Sequence, residues 1–290
     1  MKYFTSAILL LITASIAVNV NAIVTGTYFD RIVFVVFENT GYSQALADPY
    51  FKNLTSRSNG LLLSNYFAVA HPSQPNYIAT IFGSTAGITD DNNHNVAGNN
   101  IVDLLEAKGV SWKAYMENYP GSCYTGATAP TGSHLYARKH NPFISMDDIR
   151  TNSARCAKIV PGTQLDTDIN NNAVPQYVYY VPNQNNDGHD TGVTFASNWF
   201  KGWLEPKLTK PAFTTNTLIL FTFDEDDGTQ GNHVFAGLLG TPVKPPTNHD
   251  DTTAYKHYSF LATVEKNWNL GNLGRNDVGA TPFTKYLVHP

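Results

Sequence analysis

Two apolar runs, Arg31–Phe37 (RIVFVVF) and Thr217–Phe223 (TLILFTF), constrain the fold of this chain more than any other feature. Neither alternates polar with apolar residues. That is how a strand buried on both faces of a parallel sheet reads. Each run ends directly in acid: Glu38-Asn39 after the first, Asp224-Glu225-Asp226-Asp227 after the second. In an open α/β sheet, ligands bind outside the carboxyl ends of the strands. The runs therefore predict both a sheet and the rim on which its chemistry sits.

The rest of the chain alternates the two periodicities. Helices are expected over Gln44–Ser58, Ser73–Phe82, Val102–Lys108 (ended by Gly109), Val193–Leu208 and Tyr258–Trp268. Further strands are expected over Leu61–Phe67, Ser111–Met116, Gln176–Val181 and His233–Leu239. Alternation of this kind predicts an α/β fold, a mostly parallel central sheet with helices on both faces. Phe195, Trp199, Trp203 and Leu208 fall roughly on one face of their helix and read as core packing rather than a ligand platform. Glu117–Asn172 differs: it is polar and rich in Gly and Pro, and it holds both cysteines. It reads as a long loop excursion over the mouth of the site, with a helix near Ser145–Arg150.

Residues 1–22 read as a secretory signal. Lys2 gives the positive start, Ala7–Val18 the apolar stretch, and Val20-Asn21-Ala22 the small-residue cleavage site. Residues 23–290 then form one catalytic domain, and the protein is secreted, to the medium or the cell wall. In an oxidising compartment Cys123 and Cys156 form one disulfide; the alternative is two free thiols. Asn53, in Asn53-Leu54-Thr55, is a candidate glycan site. The net charge is -4, with 42% hydrophobic and 14% charged residues. Nothing in that balance suggests nucleic acid, and no second apolar segment suggests stable membrane insertion. Oligomeric state is not encoded in any feature of the sequence.

The chemistry is carried by a few residues. Ser73 sits where a helix N-cap is expected, with Pro75 in the first turn. A hydroxyl there meets free backbone N–H groups and the positive end of the helix dipole, which favours a nearby phosphate, although a plain capping serine looks the same. Glu38, Asn39, Asp224 and Glu225, at two strand ends, are hard oxygen ligands that with Ser73 could hold one divalent ion. A solvated turn is the plainer reading of Asp226-Asp227-Gly228. His71, next to the serine segment, and His189, in the loop Asn186-Asp187-Gly188-His189-Asp190, could bind phosphate or protonate a leaving alkoxide, which favours activity at acid pH. His94, His134, His140, His249 and His289 have weaker context.

These segments resemble a secreted phosphoesterase family that includes fungal acid phosphatases and bacterial phospholipases C, within the alkaline phosphatase superfamily. The likeness rests on Val35-Val36-Phe37-Glu38-Asn39, His71-Pro72-Ser73-Gln74-Pro75-Asn76-Tyr77, Asn186-Asp187-Gly188-His189-Asp190, Thr222-Phe223-Asp224-Glu225-Asp226-Asp227 and His257-Tyr258-Ser259, in that order. The resemblance implies an alkaline-phosphatase-like fold and a nucleophilic, metal-ligating Ser73 that forms a phosphoseryl intermediate. It implies that Glu38, Asn39, Asp224 and Glu225 complete the metal site, and that His189 and His257 contact phosphate or the leaving group. Two departures stand out. Glu225 occupies a position where many relatives carry His, and Thr40-Gly41-Tyr42 replaces the Arg-Ser-Phe of phospholipase-type members, which favours the acid-phosphatase branch.

The expectation is a metal-dependent phosphomonoesterase acting on a small phosphate ester. It uses one divalent ion of unspecified identity, with a second left open. The alternatives are a phospholipase C-type phosphodiesterase on the same site and a non-catalytic secreted binding protein on the same fold.

Overall fold

The computed structural model describes residues 23–290; the expected signal segment lies outside the described residues. Eight strands form the central sheet: β1 (Arg31–Phe37), β2 (Gly60–Leu63), β3 (Trp112–Met116), β4 (Ile159–Pro161), β5 (Tyr177–Val181), β6 (Thr217–Phe223), β7 (Ala236–Gly240) and β8 (Asp250–Asp251). Their spatial order is β8-β2-β7-β6-β1-β5-β3-β4. The two apolar runs lie side by side at the centre, with Arg31 opposite Thr217 and Phe37 opposite Phe223. Every residue of both is buried. Seven strands run one way; β7 alone is antiparallel to its neighbours β6 and β2.

Helices cover both faces, as the alternation requires. Phe34 stacks on Phe260 of the helix His257–Trp268, with ring centroids 4.1 Å apart. Phe37, three residues on and so on the other face, packs edge-on against Phe51 and Phe200, from the helices Pro49–Thr55 and Val193–Leu208. Trp199 and Trp203 lie against Tyr180 of β5, as core packing. Phe195 does not join them and is 47% exposed. Each aromatic ring buried in these layers contributes roughly 1.5–3 kcal/mol through area removed from water.

Several expected elements are divided. Gln44–Ser58 is two helices, Tyr42–Ala47 and Pro49–Thr55. The second begins where Asp48 accepts from the backbone N–H groups of Tyr50 and Phe51 and Pro49 takes the first helical position. Leu61–Phe67 splits into β2 and a two-residue strand, Tyr66–Phe67, and His233–Leu239 into His233–Val234 and β7. The short pieces pair with Tyr255–Lys256 in a three-stranded sheet of their own.

The excursion is not a loop. Between Glu117 and Asn172 lie the edge strand β4, a 3-10 turn at Arg138–His140 and the short helices Pro142–Ser145, Asp147–Arg150, Ser153–Cys156 and Gln164–Asn170. Cys123 and Cys156 are bonded, with Cα atoms 5.6 Å apart. Arg155 docks the segment by pairing with Asp103 and Glu106 outside it, and braces it internally by pairing with Asp148. No helix among the described residues is long and apolar enough to cross a membrane. Both ends of the described chain are pinned at the amino edge of the sheet. The Val24 carbonyl accepts from Gln176 Nε2 (2.7 Å) and Trp268 Nε1 (3.1 Å), and His289 Nε2 lies 3.2 Å from Asp30 Oδ1.

Candidate active site

The carboxyl ends of β1, β5 and β6 are laced together by their own backbones. Glu38 N–H donates to the Asp187 carbonyl (3.0 Å), Asp224 N–H to the Phe37 carbonyl (2.9 Å), and Asn39 N–H to Asp224 Oδ1 (3.2 Å). Two positions bend sharply to make this possible. Asn39 takes a left-handed φ of 49°, and Gly188 a φ of 102° that suits glycine. The result is four carboxylates, Glu38, Asp187, Asp224 and Glu225, each at most 5% exposed. Burial, then mutual repulsion, holds Glu38 and Asp224 far above the ordinary carboxyl range; burial is likewise the main cause for Asp187 and Glu225.

Ser73 enters this cluster from the helix Ser73–Phe82. It is the first helical residue rather than the N-cap, which is Pro72. Its hydroxyl therefore does not cap the helix. Ser73 Oγ lies 3.1 Å from Glu38 Oε2 and 3.1 Å from Glu225 Oε1. The approach is fixed by Asn76, whose Oδ1 accepts from the N–H groups of Val69 (2.9 Å) and Ala70 (3.0 Å). At the far end the helix stops at Gly83, left-handed at φ 75°.

Of the residues expected to ligate metal, Glu38, Asn39, Ser73 and Glu225 contact one another, and Asp224 joins them through the Asn39 N–H. The Asn39 side-chain amide reaches both carboxylates, its NH2 group donating to Glu38 Oε2 (3.1 Å) and Glu225 Oε1 (3.2 Å). Asp224 Oδ2 is buried with no hydrogen-bond partner among the described residues. Carboxylates, a hydroxyl and an amide in one buried cluster are the donor set of a hard divalent cation, so the residues fit the ion that the sequence implied. Among the described residues, the group of acidic and histidine side chains whose ligand atoms all lie within 4.8 Å of one another is Glu38, His140 and Asp187.

The three expected histidines are placed differently from one another. His71, 46% exposed in its side chain, sets Nδ1 2.5 Å from Glu225 Oε2 and Nε2 3.1 Å from Asp226 Oδ1. His189 is half-buried at the rim, with Nδ1 2.7 Å from Asp190 Oδ1 and Nε2 3.4 Å from Lys139 Nζ. His257 is buried beneath the rim. Its Nε2 donates to the Asp224 carbonyl (2.5 Å), and its Nδ1 accepts from the Tyr66 hydroxyl (3.3 Å). Burial pulls His257 down to about 4, so the ring is neutral.

Sequence reasoning overlooked residues that the excursion brings in. His140, set among the histidines of weaker context, is buried against the cluster, with Nε2 3.1 Å from Glu38 Oε1 and Nδ1 3.6 Å from Asp187 Oδ2. Burial and the neighbouring Lys139 keep it neutral. Tyr77 donates its hydroxyl to Glu38 Oε1. Lys139 pairs with Asp91 at 3.0 Å. Burial opposes the Lys139 charge, yet Glu38 and Asp91 more than offset that and hold the ammonium above its usual range. The one signal for these residues was the basic triplet Arg138-Lys139-His140 inside a stretch bounded by cysteines.

Sheet order, a serine at a helix start and an acidic carboxyl rim define an α/β protein with the fold of the alkaline phosphatase superfamily. A solved superfamily protein from Vibrio parahaemolyticus aligns over 88% of this chain and 70% of its own, with a TM-score of 0.57 and 12% identity. More narrowly, the chain belongs to the Phosphoesterase family, whose model matches residues 40–271. It is 40% identical over 265 residues to an acid phosphatase of Aspergillus fumigatus, covering 89% of this chain and 59% of that protein. It is 38% identical over 262 residues to a phosphate-repressible acid phosphatase of Penicillium chrysogenum, covering 89% and 63%. The chain thus spans about three fifths of the length of these relatives.

Proposed function

We propose that this protein is a secreted, metal-dependent phosphomonoesterase of the acid phosphatase kind that works through a phosphoserine on Ser73. The observation that carries the reading is the position of Ser73 Oγ, 3.1 Å from carboxylate oxygens on two different strand ends. The names of the relatives support the substrate class. Secretion is supported by the apolar amino-terminal segment and the disulfide.

Glu38, Asn39, Ser73, Asp224 and Glu225 would hold the cation, with Glu38, His140 and Asp187 as a second set. When bound, a divalent cation supplies charge that lowers the serine pKa and offsets the negative charge of the transferred phosphoryl group. The chain does the remaining work. Ser73 Oγ attacks phosphorus; its bond to phosphorus forms as the bond to the ester oxygen breaks, and the proton given up by the serine hydroxyl ends on that departing oxygen. Water then cleaves the phosphoseryl ester, releasing phosphate and restoring the hydroxyl. His71 and His257 position Glu225 and Asp224 through the contacts described above, and His189, beside Lys139 at the rim, would contact the phosphate or the leaving group.

Replacing Ser73 by Ala tests the reading. Turnover of a chromogenic phosphate monoester should fall by about 10⁴-fold or more, the scale of nucleophile removal in other covalent hydrolases. Acid-quenched wild-type protein should carry a phosphoryl group on the Ser73 peptide, and a phosphodiester assayed in parallel should turn over more slowly. Wild-type turnover by the alanine variant would refute the assignment.

A further inference from the structure

We propose that Lys139 is a substrate-binding residue: its ammonium takes a non-bridging oxygen of the phosphoryl group carried to Ser73, and Asp91 and His189 position it for that task. The inference rests on the phosphoesterase reading and names a contact within it.

Lys139 belongs to the short turn Arg138–His140, which the disulfide-bridged segment lays across the rim. Its neighbour His140 touches Glu38, so the turn has little freedom to shift. The ammonium is mostly enclosed, at 18% side-chain exposure; the next residue lies 3.1 Å from Glu38, and the Asp91 carboxylate that holds the ammonium also meets the backbone N–H of the residue after Ser73. The ammonium therefore borders the cluster in which Ser73 lies.

An ammonium has three N–H donors. One goes to Asp91 Oδ2 at 3.0 Å, and a second faces His189 Nε2 at 3.4 Å. The His189 ring is turned to receive it, because Nδ1 is engaged by Asp190 Oδ1 at 2.7 Å. The third has no protein partner among the described residues. A lysine pinned from two sides with one donor free is built to meet an acceptor.

Asp91 makes the same point from the other direction. Its Oδ1 accepts from the backbone N–H of Gln74 at 2.9 Å, the residue directly after Ser73, while its Oδ2 holds Lys139. One carboxylate thus bridges the amino end of the ten-residue serine helix and the lysine. The Gln74 side chain is itself fully buried, and neither its oxygen nor its nitrogen has a partner among the described residues. An ammonium on one side and, on the residue after the attacking serine, an unpartnered buried amide together suit a tetrahedral oxyanion.

Charge gives the reason a lysine is needed. A phosphoryl group arriving at Ser73 meets Glu38, Asp187, Asp224 and Glu225, all buried. A fixed cation at the rim offsets that repulsion and orients the oxygens, and a point-charge ammonium does so without demanding a planar partner.

The experiment is phosphate binding measured separately from turnover. In Ser73→Ala protein loaded with divalent ion, calorimetry with inorganic phosphate should give a Kd about 10–100-fold weaker when Lys139→Met is added, the scale of one charge-assisted hydrogen bond. Lys139→Arg should restore binding to within a few-fold, while bound metal per chain and melting temperature stay near those of the parent. Equal phosphate affinity with methionine and lysine at 139 would overturn the inference and leave the phosphoesterase reading intact. No phosphate binding by the parent protein would count against both. Loss of metal along with phosphate in Lys139→Met would show a purely structural lysine and also overturn it.

Discussion

His140 stacks on Tyr77, ring centroids 4.9 Å apart and 16° from parallel, and both side chains face the same oxygen, Glu38 Oε1. One ring comes from the disulfide-bridged segment and the other from the serine helix. Glu38, at the end of the central strand, is thus held at one oxygen by two elements. Its orientation depends on a segment about 100 residues away, which gives contacts at long sequence separation a direct hold on the acidic cluster.

His140→Phe separates packing from ligation at this grip. The phenyl ring keeps the stack on Tyr77 and loses both nitrogens that face Glu38 and Asp187. The melting temperature of the chelated protein should change by only a few degrees, whereas affinity for a divalent ion should fall by roughly 10–100-fold, the cost typical of residues supporting a metal site. Titration with the ion, followed by calorimetry, reads both. An unchanged ion affinity would remove His140 and Asp187 from the cation-binding groups.

The acidic cluster should make stability depend on pH in a manner the ion abolishes. Glu38, Asp187, Asp224 and Glu225 are all raised, chiefly by burial. A carboxyl raised in the folded state stabilises below its unfolded value, near 4, and loses that stability as pH climbs through the folded value. The chelated protein should therefore melt at progressively lower temperature from pH 5 to pH 8. Saturating divalent ion should flatten that slope and, on binding, release protons. Melting curves with and without chelator at several pH values measure it; parallel pH dependences would speak against the cation.

Glu265 supplies a second pH term, remote from the rim. It is buried beside Asp277, and burial followed by repulsion from that carboxylate pushes it up to about 8. Asp277 is committed elsewhere, accepting from the backbone N–H groups of Leu273 (2.7 Å) and Arg275 (2.8 Å). Protonated Glu265 donates to it; ionised Glu265 repels it. By the same sign argument, the contribution is full below about pH 4.3 and fades as pH rises toward 8. Glu265→Gln keeps a donor at every pH. Its melting temperature should decline less steeply than wild type between pH 5 and 8, by an amount on the order of 1–2 kcal/mol once solvent screening is allowed for. Identical slopes for the two proteins would contradict the pairing.

The parts of the molecule legible in the sequence are those whose signal is local. β1 and β6 were readable to the residue because a strand buried on both faces has no polar interruption, and the acids that follow mark the rim. Ser73–Phe82 and Val193–Leu208 were readable from helical periodicity. The division at Asp48-Pro49 left a signature, a capping acid before a proline, that the longer apolar pattern masked. Lys139, His140 and Asp91 were hidden for a different reason. Their segments have no periodicity, and their partners are far off in sequence, 48 residues for Lys139 and Asp91. What places Lys139 and His140 is the Cys123–Cys156 bond and the pairing of Arg155 with Asp103 and Glu106, so their position is a property of the folded chain.

Because Val24 and His289 are both tied down at the amino edge of the sheet, any polypeptide joined beyond either one departs from the side opposite the acidic rim. A purification tag, a surface tether or a carrier domain attached there would leave the acidic rim uncovered.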